Sequence, residues 1–230
     1  MTLSETLSML EELGTAQNRK VYARHGVNPP MYGVSYANLN RVVRKIRRDQ
    51  QLADALWATG IHDARVLAAR VADPTGMNAA RLDVWSRDID NSILAGELGA
   101  LASVSKTGLT RFRKWTSRRG EWVATAGWNT FTEMVLNDHG DVDEALLDAC
   151  LDRIEMQIHS QPNRVRYAMN NALIAIGTFS ATYRDLAIGA AKRIGPVEVD
   201  HGETNCKTPD AASYIPESFA RKEKKRKNRR

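Results

Sequence analysis

The sequence lacks the features of a membrane protein and of a disulfide-stabilised secreted protein. It contains no apolar run of about 18 residues, the length that a transmembrane helix needs, and no apolar stretch behind a basic N-terminus. Its two cysteines, Cys150 and Cys206, form no CxxC pair, which suits a reducing compartment and argues against a disulfide framework. We therefore expect a cytoplasmic monomer with no membrane partner.

Excess positive charge is missing from most of the chain and is concentrated at its end. The formal net charge is +6, and Arg221–Arg230 alone contributes +7 from eight Lys or Arg against one Glu, so residues 1–220 carry −1. Like charges repel, and this segment has nothing to bury. The sequence therefore predicts a disordered basic tail at residues 221–230, typical either of a solubilising end or of nonspecific nucleic-acid contact.

Strand patterns are absent, and helical periodicity recurs in their place. Three stretches share a helix end, a short polar break and a second helix: Leu52–Asp73, Phe112–Val135 and Ile158–Gly177. Such helical hairpins cannot bury their apolar faces alone, so they stack into solenoids. The sequence predicts an all-α fold, a HEAT-like or ARM-type alpha-alpha superhelix over residues 1–195, followed by a loop over 196–220 that packs on the last repeat. Three polar residues before periodic segments are predicted to cap helices: Ser35, Asp63 and Asp141.

The predicted helix Asn163–Ile176 carries a polar stripe beside its apolar one. Arg166, Tyr167, Asn170 and Asn171 lie three and four residues apart, so they share one side of the helix. Asparagine is a poor helix former, so another contact must favour it here. Two interpretations stay open: the amides face a ligand or nucleic acid, or they bond to carbonyl groups of the next repeat.

The middle break offers a second candidate surface. Arg118 and Arg119 precede a helix whose first turn carries Trp122, and arginines with an aromatic at a helix N-terminus can hold phosphates and sugars. Three other tryptophans lie on apolar stripes and are predicted to be core: Trp57, Trp85 and Trp128. Seven residues are predicted to line one groove and bind nucleic acid there: Arg65, Arg118, Arg119, Trp122, Arg166, Asn170 and Asn171.

A loop rich in polar residues is the other place for chemistry. His201, Glu203 and Cys206 lie close together in the sequence and include two soft ligands, but a structural zinc site normally has four ligands. A Cys-His nucleophile pair is an alternative, in which Lys207 lowers the pKa of the thiol. The remaining interpretation is a polar loop that caps the last repeat through side-chain to backbone bonds. We predict no metal site and no cofactor.

Four segments of the chain resemble a known family. They are Met31–Val34, Leu56-Trp57 with Ile61–Arg65, Phe112–Trp122 and Asn163–Gly177. In these segments the chain is similar to the AlkD-type DNA alkylation repair proteins, bacterial alkylpurine glycosylases built from HEAT-like repeats. The resemblance covers roughly residues 30–195. It implies a positively lined concave groove that embraces duplex DNA and excises cationic N3- or N7-alkylated purines.

The residues that the resemblance implies for catalysis are replaced in this chain. The family's active centre resembles a Trp-Asp-x-x-Asp run, an arginine in the next repeat and a tryptophan in the following one. Here Ser92–Gly96 stands at the run, Ala124-Thr125 at the arginine and Asn171 at the tryptophan. The carboxylates nearest to the run are Asp88, Asp90 and Glu97. We therefore assign no catalytic residue and expect excision to be absent or very weak.

Three functions follow from these patterns. The first is a DNA alkylation repair-like protein that binds duplex DNA in its concave groove. The second is a noncatalytic scaffold that holds a protein partner, the commonest use of solenoids. The third is a small-molecule or metal site built around the His201 loop.

Overall fold

Helices provide all the regular structure of residues 1–228, which are the residues that the structure describes. The computed structural model contains thirteen α-helices in this part, one turn of 3₁₀ helix and an isolated bridge between Gly14 and Val34, but no sheet. The all-α prediction is confirmed. None of the helices described here has both the length and the apolar character needed to cross a membrane.

The described chain divides into two compact units. Unit 1 comprises Met1–Arg111 and His201–Asn205, and unit 2 comprises Phe112–Asp200 and the described residues from Cys206 onward. The helices of unit 1 are α1 (Leu3–Leu13), α2 (Ala16–Arg24), α3 (Tyr36–Ile46), α4 (Gln50–Ala58), α5 (His62–Val71), α6 (Ala79–Trp85) and α7 (Ser92–Ser103). The unit boundary falls inside α8 (Gly108–Thr116). The helices of unit 2 are α9 (Glu121–Leu136), α10 (Glu144–Gln157), α11 (Asn163–Ile176), α12 (Ala181–Ile194) and α13 (Ala211–Lys227).

Polar side chains ahead of the helices explain where most of them begin. Ser35 accepts a hydrogen bond from the third residue of α3, as predicted. The predictions for Asp63 and Asp141 are wrong, because α5 begins directly after Ile61 and α10 is capped by Asp143.

Asp63 instead fixes the conformation of a loop within unit 1. Its side chain is fully buried, and its carboxylate accepts hydrogen bonds from the backbone N–H groups of Tyr32 at 2.7 Å, Gly33 at 3.2 Å and Val34 at 2.6 Å. Three charge-assisted bonds offset the cost of burying the carboxylate. Gly33 has φ +79°, and an added Cβ would lie 2.6 Å from the Thr15 carbonyl oxygen, so only glycine fits.

Two stacked tryptophans form the centre of unit 1. The rings of Trp57 and Trp85 lie 4.1 Å apart and nearly parallel, and both residues are buried. The indole N–H of Trp57 donates to Asp88 at 2.9 Å, so the polar end of the ring is satisfied. The prediction that these tryptophans are core residues is confirmed.

An aromatic cluster forms the centre of unit 2. The Trp128 ring contacts Phe112 and Phe131 edge to face, with centroids 5.6 Å and 6.1 Å apart, and its predicted core position is confirmed. Gly127 allows α8 to approach α9 closely, because a Cβ there would lie 2.8 Å from Thr116 Cγ2. This packing holds the end of α8 beside the first turns of α9.

A helix occupies the C-terminal region where the sequence predicts a loop and a disordered tail. Residues 196–210 are irregular, but α13 runs from Ala211 to Lys227. The predictions of a loop at 211–220 and of disorder at 221–227 are therefore wrong, while Arg229 and Arg230 lie outside the described residues. Ile215 packs directly on α11, since a Cβ at Gly177 would lie 2.5 Å from its Cγ2.

Neutralised charges explain why the basic segment can fold. Lys222 is buried and donates to the Val135 carbonyl at 2.6 Å near the end of α9, and its ammonium lies 2.9 Å from the Asp138 carboxylate. Arg226 pairs with the same carboxylate at 2.7 Å and donates to the Phe179 carbonyl. Cations favour the negative end of a helix. Two of the charges that would repel one another are thus bound within unit 2.

Candidate nucleic-acid interface

A cationic depression lies within unit 2 where α8 ends and α9 begins. Its volume is about 350 Å³, and it is lined by the turn that carries Arg118 and Arg119, by Arg153 of α10 and by Gln161 ahead of α11. Among the described residues no carboxylate lines it. Arg118 and Arg119 are exposed. The structure thus brings two of the seven predicted binding residues together in a positively charged concavity.

Arg153 is the residue of this depression that the sequence analysis missed. Its guanidinium donates to the Thr116 hydroxyl at 2.9 Å and to the Thr116 carbonyl at 2.5 Å, and it lies 5.2 Å from the centroid of the Trp128 ring. A signal was present in the sequence. Arg153 directly precedes Ile154 and follows Cys150 by three residues, so it borders the apolar stripe of α10, where a charged residue is unusual.

The N-terminal part of α9 borders the depression through Ala124. Gly120 is its N-cap and provides no side-chain hydrogen bond, and Ala124 of the second turn lines the depression. The first N–H groups of a helix have no partner within the helix. Trp122, predicted to bind nucleic acid, lies in this first turn and is half-buried.

The residues of the polar stripe of α11 differ in their burial and in their hydrogen bonds. Asn170 is buried, and its amide donates to the Pro209 carbonyl at 3.0 Å, a backbone group of the segment before α13 rather than of the next repeat. Asn171 is partly exposed. The Arg166 Nε is buried and has no hydrogen-bond partner among the described residues, and the same holds for the Thr125 hydroxyl on α9. That the whole stripe binds nucleic acid stays a prediction.

Arg65 lies in unit 1 and is held by neighbours there. It donates to the Asp88 carbonyl at 2.9 Å and to the Trp57 carbonyl at 3.3 Å, and its guanidinium stacks 5.5 Å from the Trp57 ring centroid. These contacts stabilise the tryptophan pair of unit 1. Its predicted role in a shared groove is not tested by them.

The carboxylates near the start of α7 are engaged in contacts within unit 1. Asp88 accepts the Trp57 indole N–H, Asp90 accepts the Asn91 amide at 2.7 Å, and Glu97 forms a bidentate pair with Arg70 at 2.9 and 2.6 Å. A Cβ at Gly96 would meet no atom within 4 Å. Gly96 is a position at which the resemblance implies a catalytic carboxylate, and as a glycine it bears no side chain.

The His201 loop does not gather a metal site. In residues 1–228 no group of three or more His, Cys, Asp or Glu could hold an ion, so His201, Glu203 and Cys206 lack the further ligand that a zinc site needs. Asp200 exchanges two hydrogen bonds of 2.7 Å with the Asn163 side chain. The start of this loop is thus fastened to α11, in line with the interpretation of a polar loop bonded to the last repeat.

Comparison with known proteins places the chain in a family. The family model described as DNA alkylation repair enzyme matches residues 6–215. The chain belongs to this family. It therefore shares its family with the proteins that the resemblance pointed to.

Two relatives and a solved structure are similar to the chain over nearly its whole length. An uncharacterized protein of Listeria innocua, Lin0241, is 28% identical over 222 residues, which cover 94% of this chain and 96% of that protein. An uncharacterized protein of Listeria monocytogenes, Lmo0209, is 26% identical over the same shares. A solved structure from a new family of proteins related to the HEAT-like repeat DNA glycosylases, with affinity for branched DNA structures, is 27% identical with a TM-score of 0.88, covering 96% of this chain and 95% of that one. The predicted HEAT-like fold class is confirmed.

Proposed function

We propose that this member of the DNA alkylation repair family binds branched DNA and does not excise alkylated purines. The observation that carries the proposal is the solved structure with affinity for branched DNA, which matches 96% of this chain with a TM-score of 0.88. A match over nearly the whole chain includes every element from which a binding surface could be built.

The surroundings of α7 support the absence of excision. Excision of a cationic base develops positive charge on the sugar, which a carboxylate must stabilise. Gly96 offers none, and the neighbouring Asp88 and Glu97 are bound to Trp57 and Arg70. Loss of one electrostatic stabiliser typically costs about 100-fold to 1000-fold in rate.

The charges of unit 2 support the binding of DNA. Three arginines meet in one depression that no described carboxylate lines, and phosphate contacts by Lys and Arg supply most of the affinity of nucleic-acid complexes. Because such contacts do not read the bases, they suit recognition of a DNA shape rather than of a sequence.

Binding and excision are tested in parallel on the full chain. We expect a four-way junction to bind at least about tenfold, or 1.4 kcal/mol, more tightly than a linear duplex of the same length and composition. Fluorescence anisotropy at a fixed salt concentration measures both affinities. Equal affinities would contradict the preference for branched DNA.

Excision is measured as the release of methylated purine from alkylated duplex. We expect release at the rate of the protein-free control. Release at a rate near that of active glycosylases of the family would show that residues other than those at Ser92–Gly96 perform the chemistry.

A further inference from the structure

Arg153 has donors that the packing of unit 2 leaves unused. Besides its two hydrogen bonds to Thr116, it donates from Nε to the Gln157 side chain at 3.3 Å. A guanidinium carries five N–H groups in a fixed fork, so two remain. The three acceptors, which are the Thr116 hydroxyl, the Thr116 carbonyl and the Gln157 side chain, are all neutral.

Arg153 also lacks a counter-charge among the described residues. No carboxylate pairs with it there, and none lines the depression. Burial lowers the pKa of Arg153 below its usual value, because its charged form is partly removed from water. A half-buried cation without an anionic partner is unfavourable. An anion in the depression would remove this cost.

The N-termini of α9 and α11 lie beside the depression, and they differ in how their first N–H groups are bonded. At α11, the Glu121 carboxylate accepts the backbone N–H of Arg164 at 2.7 Å, so an anion of the chain already serves that helix. At α9, which is 16 residues long, Gly120 gives no side-chain cap. Its first-turn N–H groups therefore have no side-chain cap, and the Glu121 carboxylate of the same turn is bonded to the Arg164 N–H instead.

We propose that this depression binds a phosphate group, an inference that rests on the proposed function because DNA is the source of the phosphate. Arg153 contributes its charge and one unused N–H donor on each terminal nitrogen. Arg118 and Arg119 contribute charge from the turn between α8 and α9. The group is a phosphodiester of the backbone or a phosphomonoester at a 5′ end of DNA, which share these oxygens.

The first experiment detects phosphate without DNA. The Nε–H resonance of Arg153, assigned by comparison with Arg153→Lys, is followed by NMR while sodium phosphate is added to the full chain, with sodium chloride at equal ionic strength as control. We expect a saturable shift with phosphate alone. We expect the affinity to be about tenfold weaker in the R118Q/R119Q variant, whose changes lie on exposed residues. Either no phosphate-specific shift or an undiminished affinity in this variant overturns the proposal.

The second experiment separates the two sources of phosphate. Four-way junctions with 5′-phosphate or 5′-hydroxyl ends are bound to R118Q/R119Q and to the matched control R87Q/K192Q, which also removes two exposed charges. If the affinity of R118Q/R119Q falls about tenfold for both junctions, the depression binds a phosphodiester of the backbone. If it falls only for the junction with phosphorylated ends, the depression binds the 5′ phosphate. An equal loss in the control overturns the proposal. A wild-type chain that shows the phosphate shift but does not bind junctions refutes the proposed function while the phosphate site stands.

Discussion

At the scale of single residues, a buried histidine in unit 1 is sensitive to pH. His62 packs edge to face on Tyr22, with centroids 5.5 Å apart, and its Nδ1 lies 3.5 Å from the Asn91 amide nitrogen. Burial lowers its pKa, while the negative charges of Asp63 and Asp90 oppose that effect in part. The neutral ring can accept the amide hydrogen, whereas the protonated ring cannot.

His62 therefore predicts a loss of stability in mild acid. Because its pKa in the folded chain is lower than in the unfolded chain, folding favours the neutral form, and its contribution is complete above about pH 6.5. As the pH falls from about 6.5 toward the folded pKa, we expect the free energy of unfolding to decrease by up to about 1.4 kcal/mol per pH unit. Urea unfolding of the full chain at closely spaced pH values between 7 and 5 measures the slope.

Two variants identify the group responsible. The slope between pH 6.5 and 5 should become smaller in His62→Gln and should be retained in His25→Gln, which changes a partly exposed histidine at the end of α2. The same slope in both variants would mean that other groups cause the pH dependence. Carboxylates titrate mainly below this range.

At the scale of secondary-structure elements, α13 depends on charges that meet at the end of α9. Lys222 reaches both the Val135 carbonyl and Asp138, and Asp138 has φ +54°, an uncommon conformation for a residue other than glycine. Burial would raise the pKa of Asp138, but the hydrogen bonds from Arg226 and Lys222 lower it overall. The basic segment thus stabilises the turn that follows α9.

Removing the charge of Lys222 should destabilise unit 2. Lys222→Met keeps the buried aliphatic stem but leaves the Val135 carbonyl without this donor, so we expect a loss of about 1–3 kcal/mol. Lys225→Met, on an exposed residue of the same helix, should change stability by less than about 0.5 kcal/mol. Urea unfolding of both variants measures the difference. Equal effects would show that α13 is not anchored by Lys222.

Local patterns explain which elements could be read from the sequence. The helix Asn163–Ile176 was predictable because its apolar stripe is long and regular and Pro162 precedes it. The helix α13 was not predictable from its charge, because Lys222 and Arg226 are paired with Asp138, more than eighty residues earlier. Like charges predict disorder only where no such partner exists.

In the candidate site, too, contacts between residues far apart in the sequence could not be predicted. Arg118 and Arg119 could be found because a polar break next to a helix start is a local feature of the sequence. The position of Arg153 beside the apolar stripe of α10 was a local signal, but its contact with Thr116 could not be predicted because the two residues are 37 positions apart. The Asn170 side chain could be interpreted in two ways until the Pro209 carbonyl was located beside it.

At the scale of the whole molecule, the overall affinity for DNA that positive charge provides should be separable from the preference for branched over linear DNA. Residues 1–220 carry a formal charge of −1 although the chain carries +6, so the basic end dominates long-range attraction to DNA. Lys222 and Arg226 are bound within unit 2, whereas Lys224, Lys225 and Lys227 of α13 are exposed. These three are the charges to remove without disturbing the anchors of the helix.

The triple variant K224Q/K225Q/K227Q should weaken binding to junctions and to linear duplexes by the same factor. Successive helical residues are about 100° apart, so the three charges point in different directions and no more than about two can reach one DNA backbone. The slope of log affinity against log salt should therefore fall by about 0.9 for each phosphate that these lysines no longer neutralise, and by no more than about 1.8. Anisotropy titrations over a range of salt concentrations measure the slope and the ratio of the two affinities. A ratio that moves toward the linear duplex would show that α13 takes part in recognising the branch, because purely nonspecific charge cannot change that ratio.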